Sequence, residues 1–213
     1  MGRRSEHSQD EQRRMALDAA HAIVRRDGLR ALSVRRIAGK MGYAAGTLYQ
    51  LFEDLDDLII IMNSETLEKL YASASKVEPG GEPSETLIRL AEVYIRSVTR
   101  EPKLWNAVFE YSPPVDRVMP ARYQGAVAKL LGLVQAVLAP LFPPGEEAGR
   151  LREARVMWAG LYGIATLASS RKSSVEIDSS AMVRTLATTY LAGLKALRAE
   201  AGTERKPRRT AAQ

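Results

Sequence analysis

The sequence predicts an all-α protein made of a small N-terminal helix-turn-helix domain and a larger C-terminal helical domain. Three observations lead to this fold class. Apolar residues recur at helical spacing in successive segments, glycine and proline clusters separate those segments, and no window alternates apolar and polar residues with the period of a strand. The chain has 213 residues, of which 46% are hydrophobic and 26% are charged, as in an ordinary soluble globular protein.

The first helix is predicted to begin at a cap formed by Ser8 or Asp10 and to run to about Arg26. Gly28 follows and should end it, because glycine readily adopts the backbone conformations that close a helix. The helical spacing places one set of apolar residues on its inward face: Ala16, Ala19, Ala20, Ile23 and Val24.

Two short helical patterns lie on either side of Gly42 in the stretch 33–52. Ser33 is placed to cap the first helix, Gly42 is placed to close it, and Arg35 and Arg36 lie on its outer face. The inward residues of the pair are Val34, Ile37, Ala38, Met41, Leu48, Leu51 and Phe52, and the outward residues of the second helix are Thr47, Tyr49 and Gln50. This arrangement predicts a helix-turn-helix, whose second helix is suited to enter the major groove of DNA.

The remaining chain is predicted to be helical between clear Gly and Pro breaks. The three-helix unit at the N-terminus, of about 45 residues, has a marginal core and should depend on the segment that follows. The further helices are expected at 58–75, 84–100, 102–111, 119–140, 149–170 and 179–200. The predicted domains are 1–55 for the helix-turn-helix, 56–201 for a helical regulatory and dimerisation domain, and 202–213 for a disordered basic tail.

Positive charge is concentrated at the two ends of the chain. Residues 1–52 hold ten lysines and arginines against five acidic residues, and residues 202–213 hold four against one. Residues 53–201 hold seventeen against nineteen, within a net charge of +6. Clustered basic residues supply most of the non-specific affinity for DNA, so this distribution supports a DNA-binding N-terminal domain. The alternative interpretation is a solvated basic surface.

Several other function classes lack their motifs in this sequence. The two histidines, His7 and His21, have no second histidine at metal-ligand spacing, so we expect them to be surface or structural residues and expect no metal site or cofactor. No phosphate-binding loop, zinc-binding helix or serine elbow is present, and we predict that the protein is not an enzyme. The absence of cysteine, of a secretory signal and of a long apolar span predicts a cytoplasmic protein with no membrane partner.

The N-terminal pattern resembles the tetracycline-repressor (TetR/AcrR) family of transcriptional regulators. The resemblance is carried by DGLRALS at 27–33, IA at 37–38, MG at 41–42, GTLY at 46–49 and Phe52. It is specific over about the first quarter of the chain and extends to the rest through length and helical character. It implies a homodimer in which the N-terminal domain binds a palindromic operator and the C-terminal domain binds a small molecule.

Eight residues are the candidate DNA-binding residues. The residue types at the start of the second helix favour close approach to DNA, with Gln50 suited to adenine and the Thr47 methyl group to thymine. The resemblance implies that Tyr49 donates its hydroxyl to a phosphate and that Arg35 reaches a guanine, although a half-buried packing role for Tyr49 is the alternative. The full set is Ser33, Arg35, Arg36, Ala45, Gly46, Thr47, Tyr49 and Gln50.

This sequence departs from the family's pattern at two positions. Leu51 stands where a histidine is frequent, and Leu55 stands where a lysine usually opens the fourth helix; both are often phosphate contacts in the family. Nearby aspartates would add repulsion if they faced DNA. We expect compensation from the N-terminal arginines, which are Arg3, Arg4, Arg13 and Arg14.

The C-terminal residues carry the second function that the resemblance implies. Six aromatic residues are candidates for contact with an apolar or aromatic effector, although aromatic residues at helical spacing are commonly core: Tyr94, Trp105, Phe109, Tyr123, Trp158 and Tyr162. Tyr162 also replaces the histidine of a Trp-x-x-x-His-Gly signature found in one branch of the family. In the family the last two helices form a four-helix bundle with their copies, and packing within one subunit is the alternative.

The sequence therefore predicts a repressor that binds a palindromic operator as a dimer and is released by an apolar small molecule. One alternative is a member of the same fold that binds DNA without a ligand or activates transcription. Another, of a different class, is an all-helical enzyme or small-molecule carrier that uses the C-terminal cavity.

Overall fold

A computed structural model describes residues 7–169 and 178–204, and every regular element in those ranges is helical. This confirms the all-α prediction. The α-helices in the described ranges are α1 (Gln9–Asp27), α2 (Val34–Met41), α3 (Ala45–Leu51), α4 (Leu55–Ala74), α5 (Pro83–Arg100), α6 (Pro102–Glu110), α7 (Ala121–Leu138), α8 (Glu147–Ser169) and α9 (Ser179–Glu204). Short 3-10 helices occupy Leu29–Ala31 and Ala139–Leu141.

Local capping explains where the first helices begin and end. Ser8, one of the two predicted caps, accepts a hydrogen bond from the Glu11 backbone N–H, and the Glu11 carboxylate accepts one from the Ser8 backbone N–H. This reciprocal capping box fixes the start of α1 and excludes the alternative cap at Asp10. At the other end of the pattern, Gly42 closes α2 with a φ of 77°, in the left-handed region that favours glycine.

Two helix ends differ from the sequence predictions by three residues or more. Helix α4 begins at Leu55, three residues earlier than expected, because the Asp54 side chain accepts a hydrogen bond from the Asp57 backbone N–H at 2.7 Å. Helix α9 continues through Glu204, so residues 202–204 are helical where a disordered tail was expected. The other residues of the predicted tail lie outside the described ranges.

The chain divides into two compact units. Unit 1 comprises the described parts of Met1–Ala72 together with Ser97–Leu130, and unit 2 comprises the described parts of Ser73–Arg96 together with Leu131–Gln213. Unit 1 thus contains the helix-turn-helix, whereas α8 and α9 belong to unit 2. The domain boundary at residue 55 stays a prediction.

The core of unit 1 extends beyond the three N-terminal helices. Leu104 and Ala107 of α6 are buried in the same apolar cluster as Ile37 of α2. Asn63 of α4 is 1% exposed, and its Nδ2 donates to the Ala107 carbonyl at 3.1 Å. The prediction that the small N-terminal core depends on later segments is therefore confirmed.

In unit 2, α8 packs against α9. The two helices approach closely at Gly160, where an added Cβ would lie 2.8 Å from Cδ2 of Leu186. The Tyr190 hydroxyl of α9 donates to the Glu153 carboxylate of α8, and burial followed by this contact raises the tyrosine pKa. A hydrogen bond and a small-residue contact therefore align the last two helices.

One segment of the described residues passes a length and composition test for crossing a membrane. It is Ala121–Leu141, with a mean hydropathy of 1.4 and 28% of the test window buried. A core helix of a soluble protein passes the same test, so this helix alone does not define a membrane span.

Candidate nucleic-acid interface

The helix-turn-helix is held together by a local cap and a shared apolar interior. Ser33 accepts a hydrogen bond from the Arg36 backbone N–H at 3.3 Å, which fixes the first turn of α2. Ile37 is fully buried, and Leu48 and Leu51 of α3 are nearly so. The inward faces of α2 and α3 therefore lie as the sequence predicts, and their opposite faces are available for contact.

We call the eight predicted DNA-binding residues the outer face. Tyr49 exposes 64% of its surface, which disfavours the alternative that it is a packing residue. The structure leaves all eight residues exposed or half-buried, and their contact with DNA stays a prediction. Exposed members are Arg35, Arg36, Gly46, Tyr49 and Gln50, and half-buried members are Ser33, Ala45 and Thr47.

Arg36 belongs to the outer face and also makes contacts with the end of α1 and the segment between α1 and α2. Its guanidinium pairs with the Asp27 carboxylate at the end of α1 and donates to the Ala31 carbonyl at 3.0 Å. Hydrogen bonds from Arg26 and then from Arg36 lower the pKa of Asp27 to about 2. Arg36 therefore connects α2 to the end of α1.

Arg13, which we expected near a DNA phosphate, makes contacts within the protein. Its guanidinium donates to the Leu51 carbonyl at the end of α3 and lies 4.7 Å from the centre of the Phe52 ring. A cation at a helix C-terminus is favourable because the unpaired carbonyls carry partial negative charge. In this structure Arg13 therefore stabilises the C-terminal end of the recognition helix α3. Of the other arginines expected to compensate, Arg14 is exposed, and Arg3 and Arg4 lie outside the described ranges.

Both histidines make tertiary contacts, as expected for structural residues. His7 places Nδ1 2.8 Å from the hydroxyl of Tyr43, in the turn between α2 and α3. His21 is buried on α1, with Nε2 2.9 Å from Oε2 of Glu65 on α4. Contact with His21 is the main cause that lowers the pKa of Glu65. These pairs connect His7 to the turn between α2 and α3 and fix the packing of α1 on α4.

The segment after α3 is contacted by a residue that the sequence analysis missed. We call the four carboxylates Glu53, Asp54, Asp56 and Asp57 the acidic corner. Arg117, from the loop between α6 and α7, donates from Nη1 to both carboxylate oxygens of Asp54 at 2.8 Å. The two residues are 63 positions apart, so no local pattern in the sequence indicates this contact.

The two leucines that depart from the family's pattern are apolar packing residues here. Leu51 is 4% exposed and belongs to the core, and Leu55 is partly buried against that core. The basic groups that the family's pattern would place at these positions are thus replaced by buried apolar surface.

The six predicted effector residues belong to different units. Trp105 and Phe109 of unit 1 stack with ring centres 5.5 Å apart, and the Trp105 Nε1–H donates to the Ser97 hydroxyl at 3.1 Å. In unit 2, the rings of Tyr94 and Trp158 lie 5.6 Å apart. The other two are Tyr123 of unit 1, whose pKa is raised by burial, and Tyr162 of unit 2, which is 39% exposed.

Unit 2 contains an apolar cavity that these six aromatic residues do not line. Its volume is about 250 Å³, and its walls come from the end of α4, the loop that follows, α5 and the end of α7. A more open cleft of about 570 Å³ shares Val77, Pro79 and Gly80 with it and is otherwise lined mainly by charged side chains. The apolar residues of the smaller cavity include Leu90, Leu133, Ala136 and Val137.

These features define a helix-turn-helix protein with a helical C-terminal part. Comparison with known protein families identifies the family to which it belongs. The family model described as "Bacterial regulatory proteins, tetR family" matches residues 16–60. The model described as "Tetracyclin repressor-like, C-terminal domain" matches residues 87–190. The chain belongs to the TetR family of bacterial transcriptional regulators.

Individual relatives agree with this assignment. The HTH-type transcriptional repressor KstR of Rhodococcus jostii (strain RHA1) is 30% identical over 104 residues, which are 49% of this chain and 49% of KstR. The chain thus spans about half the length of the curated relatives it matches.

Two solved structures share the fold. A TetR transcriptional regulator from Rhodococcus sp. RHA1 has a TM-score of 0.66 and 17% identity, covering 88% of this chain and 100% of that one. FadR from Bacillus subtilis, in complex with stearoyl-CoA, has a TM-score of 0.65 and 15% identity, covering 84% of this chain and 98% of that one. At such low identities the two structures establish the fold alone.

The pairing of Asp27 predicts an acid-dependent loss of stability. The folded-state pKa of about 2 lies below the ordinary 3.8, so the carboxylate stabilises the fold above about pH 4 and loses this contribution as the pH falls toward 2. We expect the urea midpoint of the wild type to exceed that of Asp27→Asn at about pH 6, and the difference to shrink by about pH 3. Asp18→Asn, on the exposed face of α1, is the control. A difference between wild type and Asp27→Asn that stayed constant with pH would contradict the assignment.

Proposed function

We propose that the protein is a homodimeric transcriptional repressor that binds a palindromic operator through α3 and is released by an apolar small-molecule effector. The observation that carries this proposal is the outer face, whose basic residues, Tyr49 and Gln50 lie exposed on a helix-turn-helix. The family assignment supports the same conclusion. A palindromic operator suits a two-fold dimer, with half-sites roughly 34–36 Å apart.

Within this proposal each part of the outer face has a role. Thr47 and Gln50 contact base edges, Tyr49 donates its hydroxyl to a phosphate, and Arg35 reaches a guanine. The start of α3, at Ala45 and Gly46, brings backbone N–H groups close to a phosphate. Ser33 caps α2, Arg36 connects α2 to the end of α1, and both residues contribute to the same surface.

The remaining features of the proposal follow from the family. Residues 1–55 bind DNA and residues 56–201 regulate and dimerise, in the cytoplasm, without a cofactor or enzymatic activity. The rival within the fold is a regulator that needs no ligand or that activates transcription. The rival of a different class is an all-helical enzyme or carrier, and DNA binding that is lost in Arg35→Ala and Tyr49→Ala would exclude it.

Fluorescence anisotropy on a labelled fragment from upstream of the protein's own gene tests the DNA-binding proposal. We expect wild type to prefer this fragment over scrambled DNA by about a thousandfold at moderate salt, with two subunits per site. Tyr49→Phe should weaken specific binding by about tenfold, because a hydroxyl bond to a charged phosphate is lost. Tyr71→Phe, on α4, is the matched control. Equal and steeply salt-dependent binding to both fragments would mean that this fragment holds no operator, and selection from random DNA would then follow.

The effector proposal is supported by the apolar cavity of unit 2. FadR from Bacillus subtilis binds stearoyl-CoA with the same fold, so a long-chain acyl-CoA is a reasonable first probe. We propose that the apolar part of an effector occupies the cavity, and the six aromatic residues stay candidates for further contacts. The effector acts only through different affinities for the DNA-competent and released states.

A change that fills the cavity should weaken effector-induced release from DNA. Ala136→Trp places an indole in the cavity, and we expect at least about a tenfold higher concentration of stearoyl-CoA to be needed for release in the anisotropy assay. Ala128→Trp, at an exposed position on α7 outside the cavity lining, should respond as wild type. If Trp158→Ala lost the response while Ala136→Trp kept it, the site would belong to the aromatic residues. No release by any acyl-CoA would remove this class of effector.

The dimer proposal is supported by large apolar side chains that α8 and α9 expose. Leu197 is 66% exposed and Leu167 is 49% exposed, and exposed apolar residues grouped on neighbouring helices commonly mark an interface. Val156, Tyr162 and Met182 share this property. We propose that the two helices pack against their copies as a four-helix bundle.

A buried charge at this surface should break the dimer. We expect Val156→Glu to raise the dimer dissociation constant by at least about tenfold, because the carboxylate would lose water without gaining a partner. Val118→Glu makes the same change at an exposed position in the loop between α6 and α7 and should leave the dimer intact. Sedimentation velocity over a concentration series distinguishes the two. Equal effects of both substitutions would contradict the proposed interface.

A further inference from the structure

The acidic corner carries negative charge, which is unfavourable near DNA. It places four carboxylates within five positions directly after the recognition helix α3 ends at Leu51. DNA carries a dense negative charge, so carboxylates near its backbone oppose binding. The positions that would supply a local cation in this family are the buried Leu51 and the partly buried Leu55.

Arg117 brings a cation to this corner from a distant part of the chain. Both carboxylate oxygens of Asp54 accept from its Nη1 at 2.8 Å, and its Nη2 lies 3.6 Å from Oε2 of Glu53. The Arg117 side chain is only 17% exposed, whereas those of Asp54 and Glu53 are 47% and 82% exposed. The guanidinium therefore lies beneath the two carboxylates on their protein side.

A second contact of the loop between α6 and α7 holds it against the core of unit 1. Tyr111, at the start of the same loop, packs partly buried against the core that contains α2, α3 and α4. Its pKa is raised, first by burial and then by the nearby Asp56. The loop therefore packs on the core at Tyr111 and reaches the acidic corner at Arg117, so the Arg117 pair is part of a packed surface.

We propose that Arg117 is a positioning residue for DNA binding, which neutralises Asp54 and Glu53 and fixes the corner that follows α3. The inference rests on DNA binding by the helix-turn-helix, which belongs to the proposed function. Arg117 acts by offsetting the repulsion between the corner and phosphates. It is not required to touch DNA itself.

A purely structural clamp would give a different pattern of mutant effects. If the pair only held the corner in shape, removal of either partner would weaken DNA binding alike. If the pair offsets repulsion, the two single substitutions act in opposite directions, because Arg117→Ala exposes a carboxylate and Asp54→Asn removes one. Asn also caps helices well, so Asp54→Asn keeps the start of α4.

The test is the affinity of the full chain for a double-stranded DNA fragment, measured by anisotropy at several salt concentrations. Non-specific DNA is sufficient, because phosphate electrostatics do not depend on sequence. At about 50 mM salt we expect Arg117→Ala to bind about three- to tenfold more weakly than wild type, with a loss that shrinks as salt rises. Asp54→Asn should bind at least as tightly as wild type, and the double variant should recover wild-type affinity. Arg117→Lys should retain most of the affinity because it keeps the charge.

Arg122→Ala is the matched control for loss of one positive charge. Arg122 pairs with Glu68 of α4 at 3.0 Å, away from the acidic corner, and its removal should change affinity less than Arg117→Ala does. Thermal unfolding of each variant checks that the helix-turn-helix is folded at the assay temperature.

Three outcomes would overturn the inference while leaving DNA binding intact. Equal losses in Arg117→Ala and Asp54→Asn, with no dependence on salt, would reduce Arg117 to a structural clamp. No change in either variant, or an equal loss in Arg122→Ala, would remove the local electrostatic role. Wild-type protein that bound no DNA at all would instead overturn the proposed function together with the inference.

Discussion

A helix as short as α3, with seven residues, has too few internal hydrogen bonds to hold its own direction in water. Its orientation therefore depends on contacts made by other elements. Apolar packing fixes its inward face through Leu48 and Leu51, and Arg13 of α1 secures the last carbonyl of the helix. The remainder of unit 1 can be understood as the scaffold that this short helix needs. Leu104 and Ala107 of α6 complete a core that three small helices alone could not close.

The arginines of unit 1 serve this scaffold as well as the charge of the surface. Arg13 satisfies a helix end, Arg36 pairs with Asp27, and Arg117 pairs with Asp54. Each of these contacts joins segments that are distant in sequence or that belong to different helices. A count of basic residues in 1–52 therefore overstates the positive charge that is available to DNA phosphates. Geometry decides which cations face outward and which ones organise the fold.

Helix ends can be predicted from the sequence wherever the interaction that determines them is local. The capping box at Ser8, one of two predicted caps, the cap at Ser33 and the left-handed Gly42 each act within a few residues, and the sequence predicts the corresponding helix ends. The contacts of Arg13 and Arg117 span 38 and 63 positions, and no periodicity reveals such pairs. The aromatic residues show the same limit, because helical spacing does not distinguish a buried packing residue such as Trp105 from a residue that lines a cavity.

The distance along the chain between Arg117 and the acidic corner has a physical consequence. A lysine within α4 would follow the helix-turn-helix in any conformation, so its charge would be a fixed property of the DNA-binding surface. Arg117 instead reaches Asp54, through hydrogen bonds from Nη1 to both carboxylate oxygens, only while the loop between α6 and α7 is packed on the core at Tyr111. A displacement of that loop by a few ångströms would break the Arg117–Asp54 hydrogen bonds and weaken the attraction between the charges, so that more of the repulsion from Asp54 and Glu53 would act on DNA. Under the proposed role of Arg117, the electrostatics of the DNA-binding surface thus depend on tertiary structure, so a rearrangement of this loop would change DNA affinity without any movement of α3 itself.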